Sequence, residues 1–506
     1  MLSVNDLVLL GVGIGVKLLL WPAYHSTDFE VHRNWLALTH SLPVDKWYFE
    51  NRSEWTLDYP PFFAWFEWAL SHLAYMWDPR IVDIDNLEYS ALTCVMFQRL
   101  SVVVSELVLF AALMRFAKVS GGSVQARVAA FLGFLSPGFL FVDHVHFQYN
   151  GFLFGILVYS LVFALEGRDL LAGVTFAALL CFKHIFMYIA PAYFFYLLLH
   201  YCVVYRQRGA GGLDLGASVL RLLKLGSCVM LVSGIAFGPF VAMGQIPQLV
   251  SRLFPFKRGL CHAYWAPNFW ALYSFADRAL IIGSRLAPNL FPALRPNAAL
   301  ESSTRGLVGD SSFAVLPDVT PAATFIATLV AQIPACALLV FRQRTPTRLI
   351  QAVVLCAFAS FLFGWHVHEK AVILILAPLG LLVATPTKRM LRMFAVLSIS
   401  GYYSLLPLLF GAQELPIKAA IMLIWSLSAL GLLKSSSVPA WRCLTALEKT
   451  YISGHGVLFL LTEISPSCLF GQMQFLPLVL VSVYTALGIL YSWLGMIYEL
   501  LAAEWA

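Results

Sequence analysis

Residues 61–77 read PFFAWFEWALSHLAYMW, and whether this segment crosses a membrane decides the topology of the whole chain. It is apolar and helix-length, but it holds Glu67 and His72 and is dense in aromatic side chains. That mixture suits a helix lying in the membrane interface, so it is not counted as a span. The surrounding sequence leaves little doubt about class. The 506 residues are 60% hydrophobic and 12% charged, with a mean hydropathy of +0.78, whereas soluble domains run at about 25% charged. The expectation is an all-α, polytopic transmembrane helical bundle over residues 1–506, with no separate soluble domain.

A membrane helix needs about 20 apolar residues. Apolar runs and their punctuation predict spans at 6–22, 97–116, 128–142, 150–166, 169–182, 185–204, 225–244, 321–341, 348–363, 370–384, 391–406, 417–433, 451–468 and 475–500, about 14 in all by that length rule. No basic region precedes the first apolar run, so it reads as a span rather than a cleaved signal. Short loops on one side carry Arg115, Lys118, Arg127, Arg168, Arg206, Arg208, Arg221, Lys224, Arg342, Arg344, Arg348, Lys388, Arg389, Arg392, Lys434, Arg442 and Lys449. The positive-inside rule makes that side cytoplasmic, together with both termini. The opposite side receives two long loops, 23–96 and 245–320, the second with a Pro/Ala/Asn/Ser-rich stretch at 285–320. The net charge of +6 follows from the basic cytoplasmic loops and gives no reason to infer nucleic-acid binding. The nine cysteines form no CxxC pair, and Cys94, Cys181, Cys228 and Cys336 lie in apolar runs as small core residues. Asn51-Arg52-Ser53 is a glycosylation sequon in the first long loop.

The polar motifs all fall on the non-cytoplasmic face. The first loop carries Asp28, His32, Arg33 and Trp35, then Asp58 ahead of Tyr59-Pro60-Pro61. Each proline holds its predecessor extended, so Asp58 sits on a stiff brace. It reads either as a placed functional carboxylate or as the cap of the next helix. Asp143, His144, His146, Gln148, Tyr149 and Asn150 follow one another closely. Asn and Gln both donate and accept hydrogen bonds, which suits sugar hydroxyls; the alternatives are a polar helix end and a zinc site. Two histidines without a third ligand make poor zinc chemistry. Asp83-Ile84-Asp85 has a DxD pattern but reads as a solvated loop. Lys183 and His184 form a third cluster. Arg252, Lys257, Arg258, His262 and Trp265 form a fourth, and His366, His368, Glu369 and Lys370 a fifth. Their cations suit a lipid-linked phosphate, or they snorkel toward headgroups. Lys17, near the luminal end of the first span, reads as snorkelling.

Taken together, STDFEVHRNW, WTLDYPP, DHVHFQYNG, FKH, RLFPFKRGL and VHEK resemble the endoplasmic-reticulum glucosyltransferases that use dolichyl-phosphate glucose, polytopic enzymes of the GT-C class. The matching motifs run from about residue 24 to about 418. Of the family's two close members, KRGLCHAYWAPNFWALY with FGWHVHEK looks like the one that adds the second glucose. The resemblance implies alpha-1,3 transfer to the monoglucosylated nine-mannose oligosaccharide on diphosphodolichol, at the luminal side of the endoplasmic-reticulum membrane. It also implies inversion in one displacement, with Asp58 as general base and Asp28 as runner-up. Lys257, Arg258, His368 and Lys370 would stabilise the leaving phosphate. The expected partners are membrane lipid, dolichyl-phosphate glucose and the lipid-linked acceptor; no nucleotide, cofactor or obligatory metal is expected. The first glucosyltransferase of the same pathway is the nearer alternative. A lipid-linked sugar transporter and a silent scaffold are the others, but the ionisable groups gather at one face and no internal repeat is evident.

Overall fold

The computed structural model describes residues 3–205, 212–254, 259–262, 265–286, 313–464, 471, 473 and 475–502. It is almost wholly helical. Two compact units emerge, Met1–Phe256 with Leu339–Ile350, and Lys257–Leu338 with Gln351–Ala506.

Among the described residues nine helices are long and apolar enough to span a membrane: Leu92–Val119, Val124–Phe147, His184–Cys202, Leu215–Ala242, Pro321–Phe341, Pro346–Phe363, Lys388–Leu408, Ala412–Leu432 and Leu476–Leu500. The five other expected spans are also helical, but shorter or broken: Val4–Leu19, Asn150–Leu165, Asp169–Phe182, Ile373–Leu382, and Ala446–Phe459 running into a wide turn at Leu460–Ile464. The chain is thus a multi-pass membrane protein in which the figure of 14 spans is not established.

The segment that governs the topology forms one helix, Pro61–Trp77. Proline at its first turn is tolerated because that N–H has no helical partner. At 1.5 Å per residue it is about 25 Å long, short of the roughly 30 Å hydrocarbon core. Its buried residues Phe63, Ala64, Glu67, Ser71 and Ala74 recur every three or four positions. They face the Thr27–Ser41 helix, while Trp68, Leu73, Tyr75, Met76 and Trp77 stay exposed. One inward stripe and one aromatic outer face suit an interfacial helix.

Elsewhere in the first unit, Leu107–Val119 and Asn150–Leu165 pack backbone to backbone. A Cβ at Gly155 would lie 2.6 Å from the Leu109 amide nitrogen, so only glycine permits the approach. Lys17 does not snorkel. It is 1% exposed, and its Nζ lies 2.6 Å from Glu106 and 3.3 Å from the Phe134 ring centroid.

In the second unit the Lys388–Tyr403 helix is buried along nearly all its length, with Leu476–Ala502 against it. Residues 245–320 are not simply a loop: Ile246–Leu253, in the first unit, and Phe269–Leu286, in the second, are helices. Asp277 anchors the second of these by accepting the Ala314, Val315 and Leu316 amides at 2.8–3.1 Å. Most of the 285–320 stretch lies outside the described residues.

Candidate active site

In the first unit the scattered motifs meet through one run of polar contacts. Ser26 caps the Thr27–Ser41 helix by accepting the Asp28 amide. Its hydroxyl donates to the His146 carbonyl at 2.6 Å. The first loop is thereby tied to the 143–150 segment, 120 residues away. Asp28 Oδ2 accepts from Gln148 Nε2 at 2.6 Å and lies 3.3 Å from His146 Nε2. Asn150 Nδ2 donates to both Gln148 Oε1 and Asp143 Oδ1. Asp143 Oδ2 also accepts the Gly151 amide at 2.5 Å. Lys183 Nζ donates to Asn150 Oδ1 at 3.1 Å and lies 4.8 Å from the Tyr59 ring centroid. The run of contacts therefore ends beside Asp58. Phe147, within the motif, has φ of 89°, a conformation costly for a bulky residue and held by its surroundings.

Asp58 is half-buried. The N-cap of the 61–77 helix is Pro60, two residues beyond Asp58. Two tyrosines flank it. Burial, and next the Asp58 carboxylate, push the Tyr48 phenol well above its usual value. Tyr59 is pushed up the same way, with Asp28, Asp143 and Glu67 adding to the effect. Three aspartates from separate motifs thus act on one aromatic ring. The Tyr48 hydroxyl donates to the Tyr59 carbonyl at 2.8 Å. Arg252 Nε, 204 residues on, donates to the Tyr48 carbonyl at 3.1 Å and braces the loop.

Other expected ligand residues lie inside the packing. Arg33 is fully buried, forked onto Glu30 at 2.6 and 2.7 Å, and bonded to the Ile81 and Asp83 carbonyls. Trp35 donates to the Trp55 carbonyl. His32 Nδ1 meets Glu67 at 2.7 Å within a box of Trp35, Tyr59, Phe63, Phe147 and Tyr149 rings. Burial raises the Glu67 carboxyl, and the His32 bond partly offsets this. His144 Nε2 meets Glu106 at 2.5 Å, Tyr149 pairs with Ser101, and His184 packs on Phe254. These groups hold the site's walls; their polar atoms are engaged by the fold or sealed from solvent. Asp83 and Asp85 are exposed, and Asp83 accepts the Asp85 amide as a simple turn.

In the second unit His262, of the fourth cluster, meets His366, His368 and Glu369 of the fifth. The His366 amide donates to the Leu260 carbonyl at 3.0 Å, Cys261 bridges Val367 in parallel fashion, and His366 Nδ1 donates to the Gly259 carbonyl at 2.7 Å. This pairing sets the His262 ring 3.9 Å from the His368 ring, with Glu369 beneath both. Burial pushes the His368 imidazole well below its usual value, keeping it neutral. His366 and Trp265 adopt φ of 50° and 37°, so both motifs carry backbone in a region that L residues avoid. Trp265 is held through its carbonyl by Ser482 at 2.7 Å. Lys370 is half-buried beside the cluster. Lys257 and Arg258 lie outside the described residues.

Comparison with known proteins then decides the family. Residues 13–496 match the family described as "ALG6, ALG8 glycosyltransferase family". This chain belongs to that family. A Gibberella zeae protein named dolichyl pyrophosphate Glc1Man9GlcNAc2 alpha-1,3-glucosyltransferase is 50% identical over 496 residues, covering 96% of each chain. Proteins of the same name from Schizosaccharomyces pombe and Bos taurus are 48% and 45% identical, covering 96% of this chain and 95% and 93% of theirs. A solved structure, ArnT from Cupriavidus metallidurans bound to undecaprenyl phosphate, aligns at TM-score 0.41 and 15% identity over 99% of this chain and 78% of that one.

Sequence reasoning gives no role to Glu106 or Tyr48, and reads Glu67 and Tyr59 only as parts of an interfacial helix and a proline brace. Glu67 was visible only as an acidic residue in an aromatic helix, and Glu106 as one carboxylate inside an apolar run. A charge in such a place calls for a partner, and that was the available signal.

Proposed function

We propose that this protein transfers glucose from dolichyl-phosphate glucose to the monoglucosylated nine-mannose lipid-linked oligosaccharide, forming an alpha-1,3 bond. The relatives' shared name supports this reading, at 45–50% identity over 96% of the chain. The proposed setting is the endoplasmic-reticulum membrane, with a GT-C architecture, a luminal site and cytoplasmic termini.

A beta-linked donor and an alpha-linked product require one inverting displacement. The acceptor hydroxyl loses its proton as it attacks the anomeric carbon, and dolichyl phosphate leaves from the opposite face. Asp58 takes that proton; general-base catalysis is worth about 10²–10⁴-fold. The observation that carries this assignment is that Asp58, half-buried, acts together with Asp28 and Asp143 on the one Tyr59 ring, beside the Lys183–Asn150 contact. Asp28 is the weaker choice because its Oδ2 is engaged by Gln148 and lies close to His146. Asn150, Gln148 and Lys183 supply donors and acceptors for sugar hydroxyls. Family resemblance is what supports Lys257, Arg258 and Lys370 as positive charge for the leaving phosphate, where preorganised charge acts most strongly. His368, whose Nδ1 faces Glu369 at 2.9 Å, is left out of that set. The reaction is written with no nucleotide and no metal, since both substrates are lipids.

The test uses purified protein with dolichyl-phosphate glucose and acceptors carrying no glucose or one. Transfer to the monoglucosylated acceptor alone is expected. Transfer to the unglucosylated acceptor instead moves the chain to the first glucosylation step, and no transfer to either overturns the reading.

A further inference from the structure

Glu369 is 1% exposed, and a buried carboxylate is expensive unless it is paired. Its oxygens point at two ring nitrogens: Oε1 is 2.9 Å from His368 Nδ1, and Oε2 is 3.4 Å from His262 Nδ1. Two imidazoles and a carboxylate converging on one point form a donor set of the kind that holds a transition-metal ion.

We propose that His262, His368 and Glu369 form a binding site for a divalent cation of the zinc class, which clips the 259–262 segment to the 364–369 segment. One ligand atom from each residue lies within 4.8 Å of the others. Tetrahedral zinc with bonds of about 2.0–2.1 Å sets its ligand atoms about 3.4 Å apart, so the widest pair closes by no more than about 1.5 Å. Two imidazoles and one carboxylate match zinc and its first-row neighbours, whereas magnesium and calcium prefer all-oxygen sets. The scaffold is already in place: the Leu260–His366 bond and the Cys261–Val367 bridge hold the two segments in register without the ion. The side chains of His262 and His368 are 19% and 33% exposed, which gives the ion a way in. His366 is not a ligand through Nδ1, because that atom donates to Gly259. Three protein ligands leave one position for water. The glucosyl transfer written above does not pass through this site, so the ion organises the fold of the two segments.

The test uses the full chain in detergent with any affinity tag removed. The protein is stripped with chelator, repleted with Zn²⁺ or Co²⁺, desalted, and assayed for metal by mass spectrometry. Expected are one equivalent of zinc per chain and, with cobalt, the visible absorption bands of a four-coordinate site. Glu369→Gln and His262→Gln should each weaken binding at least 100-fold, while both variants elute as the wild type does. If either fails to fold, His368→Gln takes its place. Less than 0.1 equivalent in the wild type overturns the proposal, as does undiminished binding in the variants. Glucose transfer is not the readout, so failure here leaves the transferase reading standing.

Discussion

Replacing Lys17 by methionine tests whether a charged residue in the first apolar helix is a structural partner or an incidental one. Lys17 and Glu106 are each 1% exposed and 2.6 Å apart, and Glu106 also meets His144 at 2.5 Å. Methionine keeps most of the side-chain volume but removes the charge, and with it the ammonium placed 3.3 Å from the Phe134 ring. Glu106 is then a buried carboxylate with one partner lost. Breaking a buried pair from one side costs about 3–5 kcal/mol, whereas replacing both members is often near neutral. The expected pattern is therefore non-additive. Lys17→Met loses about 3–5 kcal/mol, and the double variant Lys17→Met with Glu106→Gln recovers all but about 1–2 kcal/mol of it. Glutamine still offers His144 an acceptor, so the third member of the network stays satisfied. Equilibrium unfolding by SDS in mixed micelles, followed by tryptophan fluorescence, reads both values. A Lys17→Met loss below about 1 kcal/mol, as expected of an exposed ion pair, refutes the reasoning. So does a double variant less stable than either single one.

Two further outcomes follow from the packing and the loop. Gly155→Ala drives a Cβ to 2.6 Å from the Leu109 amide, so the two helices must part; a loss of about 1–3 kcal/mol is expected in the same unfolding titration. Asp78 accepts from the Arg80 amide and guanidinium, Tyr89 and Thr93, and the Arg80 bonds hold its carboxyl below the usual range. Because the folded state lowers this group, its stabilisation is present above the unfolded carboxylate value and is lost as pH falls below it. Limited proteolysis of the 78–93 loop should accelerate on acidification in the wild type. In Asp78→Ala it should be fast at every pH, and equal rates in the two proteins would contradict the assignment.

The apolar runs marked the helices well because a span must satisfy its own backbone bonds along its whole length. Lengths were harder to read. Ile373–Leu382 begins only after the tighter turn at Glu369–Val372, and Asp169–Phe182 stops where Lys183 turns extended, which no run of hydropathy records. The Phe269–Leu286 helix does not stand out as an apolar run because Asp277, Arg278 and Arg285 interrupt it. Within the site, Asp58, Asp28 and the 143–150 cluster were legible as residue types crowded at one face. Their order was not, since the Asp28–Gln148 and Lys183–Asn150 bonds join segments 120 and 33 residues apart. Arg33 and Lys17 were misjudged for one reason: a long cation in sequence looks the same whether it faces solvent or a buried carboxylate.

The central claim is that Asp58 removes the acceptor proton, and Asp58→Asn tests it most directly. The variant keeps the shape of the side chain and changes only its capacity to take a proton. It is given dolichyl-phosphate glucose and the monoglucosylated acceptor under single-turnover conditions, with donor binding measured alongside. The account predicts a loss of about 10²–10⁴-fold in the transfer rate, with donor affinity and folding unchanged. Turnover within a few-fold of the wild type would contradict it and move the base to Asp28 or Asp143.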